Sequence, residues 1–291
     1  MGGKKFASDV EPNLKMRGKA MPEGQNKLAK LMRKSPPELA LSVKSRILNL
    51  QRSWISKARF GFTPWRPSGV VPHFTAYYPD SIRSFSDLDD LYSRWIRGNK
   101  INNNGDVPRF IALLLNLRQL QNEAIDGDFA ELGVWKGNSA AVLAAYAAEI
   151  QRKLYLFDTF AGFDSRDTDG DHRAQTGYFA DTSIDYVKAT VGHNSTTVYV
   201  PGYFPDSITP EVQTAKFALV HIDCDLYKPM KAALDFFYPR TNRGGMMILH
   251  DYSSGTWNGA TQAIDEFSKA TGEYISLWPD KSGTAMLRKT R

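Results

Sequence analysis

Apolar residues along this chain follow two regimes, and the change between them falls near residue 104. In the first, Val43, Ile47, Leu50 and Trp54 recur at helical spacing between Glu38 and Arg59, with Lys44, Arg46, Arg52 and Lys57 on the other faces. That pattern predicts an amphipathic helix opened by Pro36-Pro37. Pro64, Pro67, Pro72 and Pro79 then interrupt a connector from Phe62 to Asp80. Ser86 followed by Asp89 predicts a capped helix to about Arg97, ended by Gly98 and the Asn102-Asn103-Asn104-Gly105 run. The expected organisation is a loose basic segment (1–35), a helical extension with its connector (36–103) and one catalytic-sized domain (104–291).

In the second regime, helical and strand periods alternate. Helices are predicted over Val107–Gln121, Asn138–Gln151, Thr182–Thr190, Pro229–Tyr238 and Gly259–Ala270. Strands are predicted over Phe129–Val134, Leu154–Asp158, Thr197–Val200, Phe217–Ile222, Met246–Leu249, Tyr274–Leu277 and Ala285–Arg288. Alternation of this kind implies parallel βαβ units in an α/β, doubly wound, mostly parallel seven-stranded sheet. Such sheets bind ligands beyond the carboxyl ends of their strands, and each motif below falls at one of those ends.

The first strand runs into Glu131-Leu132-Gly133-Val134-Trp135-Lys136-Gly137-Asn138-Ser139. Gly133 permits a tight turn and Gly137 a helix entry. The spacing is neither that of a dinucleotide loop nor that of a P-loop. An acid beside the glycines disfavours a diphosphate and suits a ligand carrying an ammonium or sulfonium group; an ordinary strand–turn–helix junction is the plain alternative. The second strand ends at Asp158, where nucleotide-binding α/β folds place an acid on the ribose hydroxyls. Together these features favour an adenosine-type ligand.

Asp223 follows the most hydrophobic strand, and His250-Asp251 follows the next one after Gly244-Gly245. Neighbouring strands lie about 4.8 Å apart, so these groups can converge. Two carboxylates so close repel unless they share a proton or a cation. They suit a divalent ion, Mg²⁺ by their oxygens, Mn²⁺ or another transition ion if His250 ligates; two solvated loop acids are the alternative. Asp225 stands two residues on, where a base for a metal-bound hydroxyl would sit. His221 is expected to be packed or hydrogen-bonded, Cys224 to be a small buried residue, and the charged loop Asp164–Arg173, with His172, to be solvated.

Charge alters the picture of the extension only. Residues 1–60 hold 14 Lys/Arg against 4 Asp/Glu, and residues 61–291 hold 23 against 27. The basic character therefore sits in the N-terminal part and points to an anionic contact there. The helix at 38–59 is a candidate for peripheral membrane contact, with packing on protein as the alternative. A single cysteine excludes a disulfide framework, and no run of about 18 apolar residues suggests a membrane span. A cytoplasmic location is expected, peripheral to the membrane if the helix docks there. No nucleic-acid partner is expected, and self-association is.

Taken in order, Asp128–Gly137, Asp158-Thr159-Phe160-Ala161-Gly162-Phe163, Gly202-Tyr203-Phe204-Pro205-Asp206-Ser207, Asp223-Cys224-Asp225-Leu226-Tyr227 and Gly244-Gly245 with Asp251-Tyr252 resemble the macrocin O-methyltransferase family over roughly 105–290. The resemblance implies a class I methyltransferase fold, S-adenosylmethionine as cofactor, Mg²⁺ (or Mn²⁺) dependence and a sugar or glycan hydroxyl as acceptor. It implies Asp223 and Asp251 as metal ligands with His250 beside them, Asp225 as base, and Glu131, Gly133, Val134, Trp135, Gly137, Ser139, Asp158 and Asp223 as the cofactor shell. The family commonly carries two adjacent aspartates before the tyrosine; here the first is His250. Two rival readings are a non-catalytic cofactor-binding or assembly protein and a nucleotide-sugar-processing enzyme.

Overall fold

The computed structural model describes residues 88–98, 106–168, 174–192, 194–278 and 280–291. The expected helix at 38–59, the Pro/aromatic connector and His172 lie outside the described residues.

Seven strands form one sheet: β1 (Asp128–Leu132), β2 (Leu154–Asp158), β3 (Thr197–Pro201), β4 (Phe217–Ile222), β5 (Thr241–Leu249), β6 (Ser276–Leu277) and β7 (Ala285–Arg288). Their order is β3-β2-β1-β4-β5-β7-β6. β1 to β5 pair in parallel, while β7 runs antiparallel to both β5 and β6. The order reverses between β1 and β4, which opens a crevice at their carboxyl ends.

Eight α-helices surround the sheet among the described residues: α1 (Leu88–Gly98), α2 (Val107–Asn122), α3 (Asn138–Glu149), α4 (Ser165–Thr168), α5 (Ile184–Val191), α6 (Pro210–Thr214), α7 (Tyr227–Phe237) and α8 (Asn258–Thr271). Because both faces are covered, the central strands read as continuous apolar runs, and all six residues of β4 are buried. The two-residue strand period divides them: Phe129, Leu154, Leu156, Leu219 and Ile248 pack under α2 and α3. Ala130, Tyr155, Phe157, Val220 and Leu249 pack under α7 and α8.

Several boundaries differ from expectation; β5, for one, begins at Thr241, five residues before Met246. Leu91 and Trp95 of α1 are buried in the same core as Phe110 and Leu114, so this helix packs with the folded body. β1 stops at Leu132, two residues early, because Gly133 leaves the extended region at φ 85°. The short helices α4 and α6 were not anticipated; α6 starts at Pro210 under a Thr209 cap, and neither is long enough to show a period.

Candidate active site

One cavity of about 620 Å³ lies over the carboxyl ends of the parallel strands. Its wall includes Gly133, Val134, Trp135, Ser139, Asp158, Asp223, Asp225, His250 and Asp251. Glu131 and Gly137 lie outside that wall.

The β1 loop is fixed by its neighbours. At Gly133 a side chain would run into the backbone carbonyl of Asp223, so glycine lets the β1 and β4 ends touch. Gly137 takes the left-handed conformation at the start of α3. The Asp158 carboxylate accepts from the backbone N–H groups of Val134 (2.7 Å), Trp135 (2.8 Å) and Phe160 (2.7 Å). An ionised carboxylate offers about four acceptor positions, so one remains for a ligand hydroxyl. Lys136 and Trp135 Nε1 both reach Asp181, at 2.5 and 2.9 Å, and Thr182 donates to the Trp135 carbonyl, which ties the 174–182 segment onto this loop. Phe163 meets Phe179 of that segment and Trp257 edge to face along the cavity wall, with ring centroids 5.2 and 5.6 Å apart, and the Phe179 and Trp257 rings are tilted at 6.4 Å.

Below the loop runs a buried polar chain. Glu131 is fully buried and directly opposite His221 in the β1–β4 register. Its Oε1 accepts from Ser139 Oγ at 2.5 Å and lies 2.9 Å from His221 Nδ1. Arg109 Nη2 is 3.2 Å from His221 Nε2 and donates to Asp223 Oδ2 at 3.0 Å. A guanidinium only donates, so His221 Nε2 accepts and its proton sits on Nδ1, facing Glu131. Burial opposes the charge on Arg109, but Asp223 outweighs it and holds the guanidinium above its ordinary value. His221 is thus hydrogen-bonded within the fold, as its place in the strand suggested.

The acid cluster sits at the β4 and β5 ends. One donor atom from each of Asp223, His250 and Asp251 lies within 4.8 Å of the others. His250 Nδ1 is 2.7 Å from Asp223 Oδ1 and 2.5 Å from Asp251 Oδ2. Burial works against ionised Asp223, but His250 and Arg109 hold its carboxyl below the usual range. Asp225 shows the reverse: burial, then the charges of Asp251 and Asp223, push its carboxyl well above the usual range. His250 is destabilised as a cation by burial and by Arg109, yet Asp223 and Asp251 carry it up to about 10. Protonated His250 and Arg109 together offset Asp223 and Asp251, so a divalent ion would take the place of the His250 proton, and two oxygens with one imidazole nitrogen make a donor set that fits such an ion. Asp225 and Asp251 both adopt φ 62°, a left-handed conformation unusual for residues with a side chain; Trp135 and Phe179 on the same rim also have positive φ. Strain gathered in one place is typical of functional loops.

Sequence reasoning missed Arg109, on α2, and Asn138, the first residue of α3. Asn138 lines the cavity, and its buried Nδ2 has no protein partner. Cys224 is only half-buried and lines the wall, against the expectation of a buried filler; its thiol is pushed up by burial and by Asp225 and its neighbours.

A seven-stranded sheet in this order, with a glycine turn after β1, an acid after β2 and acids after β4 and β5, defines a class I methyltransferase fold. The sequence profile of the macrocin-O-methyltransferase (TylF) family matches residues 108–276. The chain belongs to that family, whose members are S-adenosylmethionine-dependent O-methyltransferases. It is 28% identical over 173 residues to 8-demethyl-8-(2,3-dimethoxy-alpha-L-rhamnosyl)-tetracenomycin-C 4'-O-methyltransferase of Streptomyces olivaceus, which covers 51% of this chain and 65% of that protein. It is 26% identical over 174 residues to mycinamicin III 3''-O-methyltransferase of Micromonospora griseorubida, covering 50% and 67%. Among solved structures, the O-methyltransferase NovP matches with a TM-score of 0.56 and 20% identity over 64% of this chain and 81% of that one. The chain thus aligns with about two thirds of the length of these curated relatives.

Proposed function

We propose that this chain transfers the methyl group of S-adenosylmethionine to a hydroxyl of a sugar or glycosylated small molecule, assisted by a divalent cation. The observation that carries the reading is the meeting of Asp223, Asp225, His250 and Asp251 in the same cavity as the Gly133 loop and Asp158. Membership of the family supports the class of reaction, and the Streptomyces olivaceus relative is named for O-methylation of a rhamnosyl tetracenomycin.

In this reading Asp158 accepts from a ribose hydroxyl, and Asn138 Nδ2, at the positive end of α3, donates to the methionine carboxylate. Glu131 acts from behind the wall, holding Ser139 on the wall and His221 beneath it. The acceptor oxygen attacks the sulfonium methyl in line; the C–S bond breaks as the C–O bond forms, the electron pair stays on sulfur, and the hydroxyl proton passes to Asp225. Asp223, His250 and Asp251 would hold the cation, which when bound lowers the pKa of the acceptor hydroxyl. Ionised Asp225 is required for the proton transfer, and neutralising the charges of Asp223 and Asp251 favours that state. The aromatic roof of Phe163, Phe179 and Trp257 keeps water from the reacting carbon.

Calorimetry with S-adenosylmethionine and S-adenosylhomocysteine tests the class: absence of binding by both ends the reading. Radiolabelled methyl transfer to a panel of deoxysugar glycosides tests the acceptor. Asp223→Ala is expected to abolish that transfer while cofactor affinity stays within about threefold.

A further inference from the structure

Resting on the cation reading above, we propose that His250 makes this site prefer Mn²⁺ or a later first-row dication to Mg²⁺. Three observations carry the inference. First, Arg109 already holds Asp223 Oδ2 at 3.0 Å, so Asp223 can offer the cluster only Oδ1. Second, the imidazole nitrogen is committed to the same point: Nδ1 lies 2.7 Å from Asp223 Oδ1 and 2.5 Å from Asp251 Oδ2. Third, the ring has nowhere else to turn. His250 is 9% exposed, its Nε2 is buried without a partner, and its backbone N–H is bonded to the Ile222 carbonyl at 2.9 Å.

A cation that enters would displace the proton that Nδ1 shares with the two carboxylates and then meet two carboxylate oxygens and one nitrogen. Mg²⁺ keeps an oxygen shell of near-octahedral shape and sheds water reluctantly, so a fixed nitrogen in its shell is a penalty. Imidazole suits Fe²⁺, Ni²⁺, Cu²⁺ and Zn²⁺, and the affinity of a mixed nitrogen and oxygen site rises from Mn²⁺, the weakest binder of the first row, to Cu²⁺ and falls again at Zn²⁺. The two carboxylates still supply two negative charges, so neither ion is favoured by charge alone. Selectivity rests on the nitrogen.

The experiment uses the full chain, stripped with a chelator and then saturated with S-adenosylhomocysteine. Mg²⁺ and Mn²⁺ are titrated separately by calorimetry, and the Mn²⁺ complex is examined by electron spin-echo envelope modulation. Mn²⁺ is expected to bind about a hundredfold more tightly than Mg²⁺, with a ¹⁴N coupling in the spin-echo spectrum. His250→Asp is expected to remove that coupling and to cut the Mn²⁺/Mg²⁺ affinity ratio by about tenfold or more, chiefly through better Mg²⁺ binding. Tight Mn²⁺ binding to the wild-type chain without ¹⁴N coupling overturns the proposal even if the variant fails to fold. So does a ratio unchanged in His250→Asp; in both cases the cation reading stands. If neither ion binds the wild-type chain, the cation reading fails and this proposal with it.

Discussion

Arg109 is the side chain on which most of the site's geometry turns. It is 5% exposed and bridges His221 to Asp223, two residues that follow one another along β4 and its loop. Removing one member of a buried pair leaves the other charge uncompensated, but Asp223 keeps His250 as a second partner, so Arg109→Met is expected to cost roughly 2–4 kcal/mol in urea unfolding. Asp225→Asn is expected to lower turnover by about 10²- to 10⁴-fold with S-adenosylhomocysteine affinity nearly unchanged, the signature of a proton acceptor that does not touch the cofactor. Strand-end acids were legible in the sequence because a hydrophobic run followed by aspartate needs no tertiary knowledge. Arg109 was not: its partner lies 114 residues away, and only the docking of α2 across β1 and β4 brings them together. Glu131 was legible from its place beside the glycines, and the structure buries it beneath the loop. Its strand period places it on the face of Phe129, under the helices, while Gly133 alone begins the turn.

At the level of elements, the contact between the β1 loop and the β4 end depends on the missing side chain at Gly133. Gly133→Ala adds a methyl group against the Asp223 carbonyl at φ 85°, where left-handed geometry itself costs about 1–2 kcal/mol. Calorimetry should show S-adenosylhomocysteine binding weakened by tenfold or more. A second element test concerns the exit from α8. Glu273 is 2% exposed and takes hydrogen bonds from Tyr238 Oη, Thr290 N and Thr290 Oγ1 at 2.9, 2.9 and 3.0 Å, stapling the chain end to the fold. Burial opposes the charge, but these donors outweigh it and hold the carboxyl below its usual range. Its stabilisation is therefore complete above the ordinary glutamate range and fades as pH falls through the lowered value. Glu273→Gln should melt earlier than wild type at pH 7, and the gap should close in thermal scans toward pH 3. Helix and strand cores were predicted well because burial on both faces writes continuous apolar runs; the failures were one-turn helices and strand ends, where a cap or a single φ decides.

For the whole molecule, the reversal of strand order between β1 and β4 explains why the loops after β1, β2, β3, β4 and β5 all reach one cavity. The alternating pattern announced a doubly wound sheet, but not the antiparallel β7 inserted between β5 and β6, since strand direction leaves no mark on composition. A ligand confined to the folded state stabilises it by mass action. S-adenosylhomocysteine at a hundred times its dissociation constant should therefore add about 2.7 kcal/mol, read as a rise in thermal midpoint. A smaller rise would mean that the unfolded chain binds the ligand as well.

The insertion of β7 has a further result at the margins of the sheet. It leaves β6, a rung pair of two residues, on one border, and on the other β3 ends in Pro201, which has no amide hydrogen to give. Neither border offers a template of useful length on which another copy's backbone could zip. Copies that associate through the described part of the molecule must meet through side chains on its helical flanks, where specificity is written residue by residue.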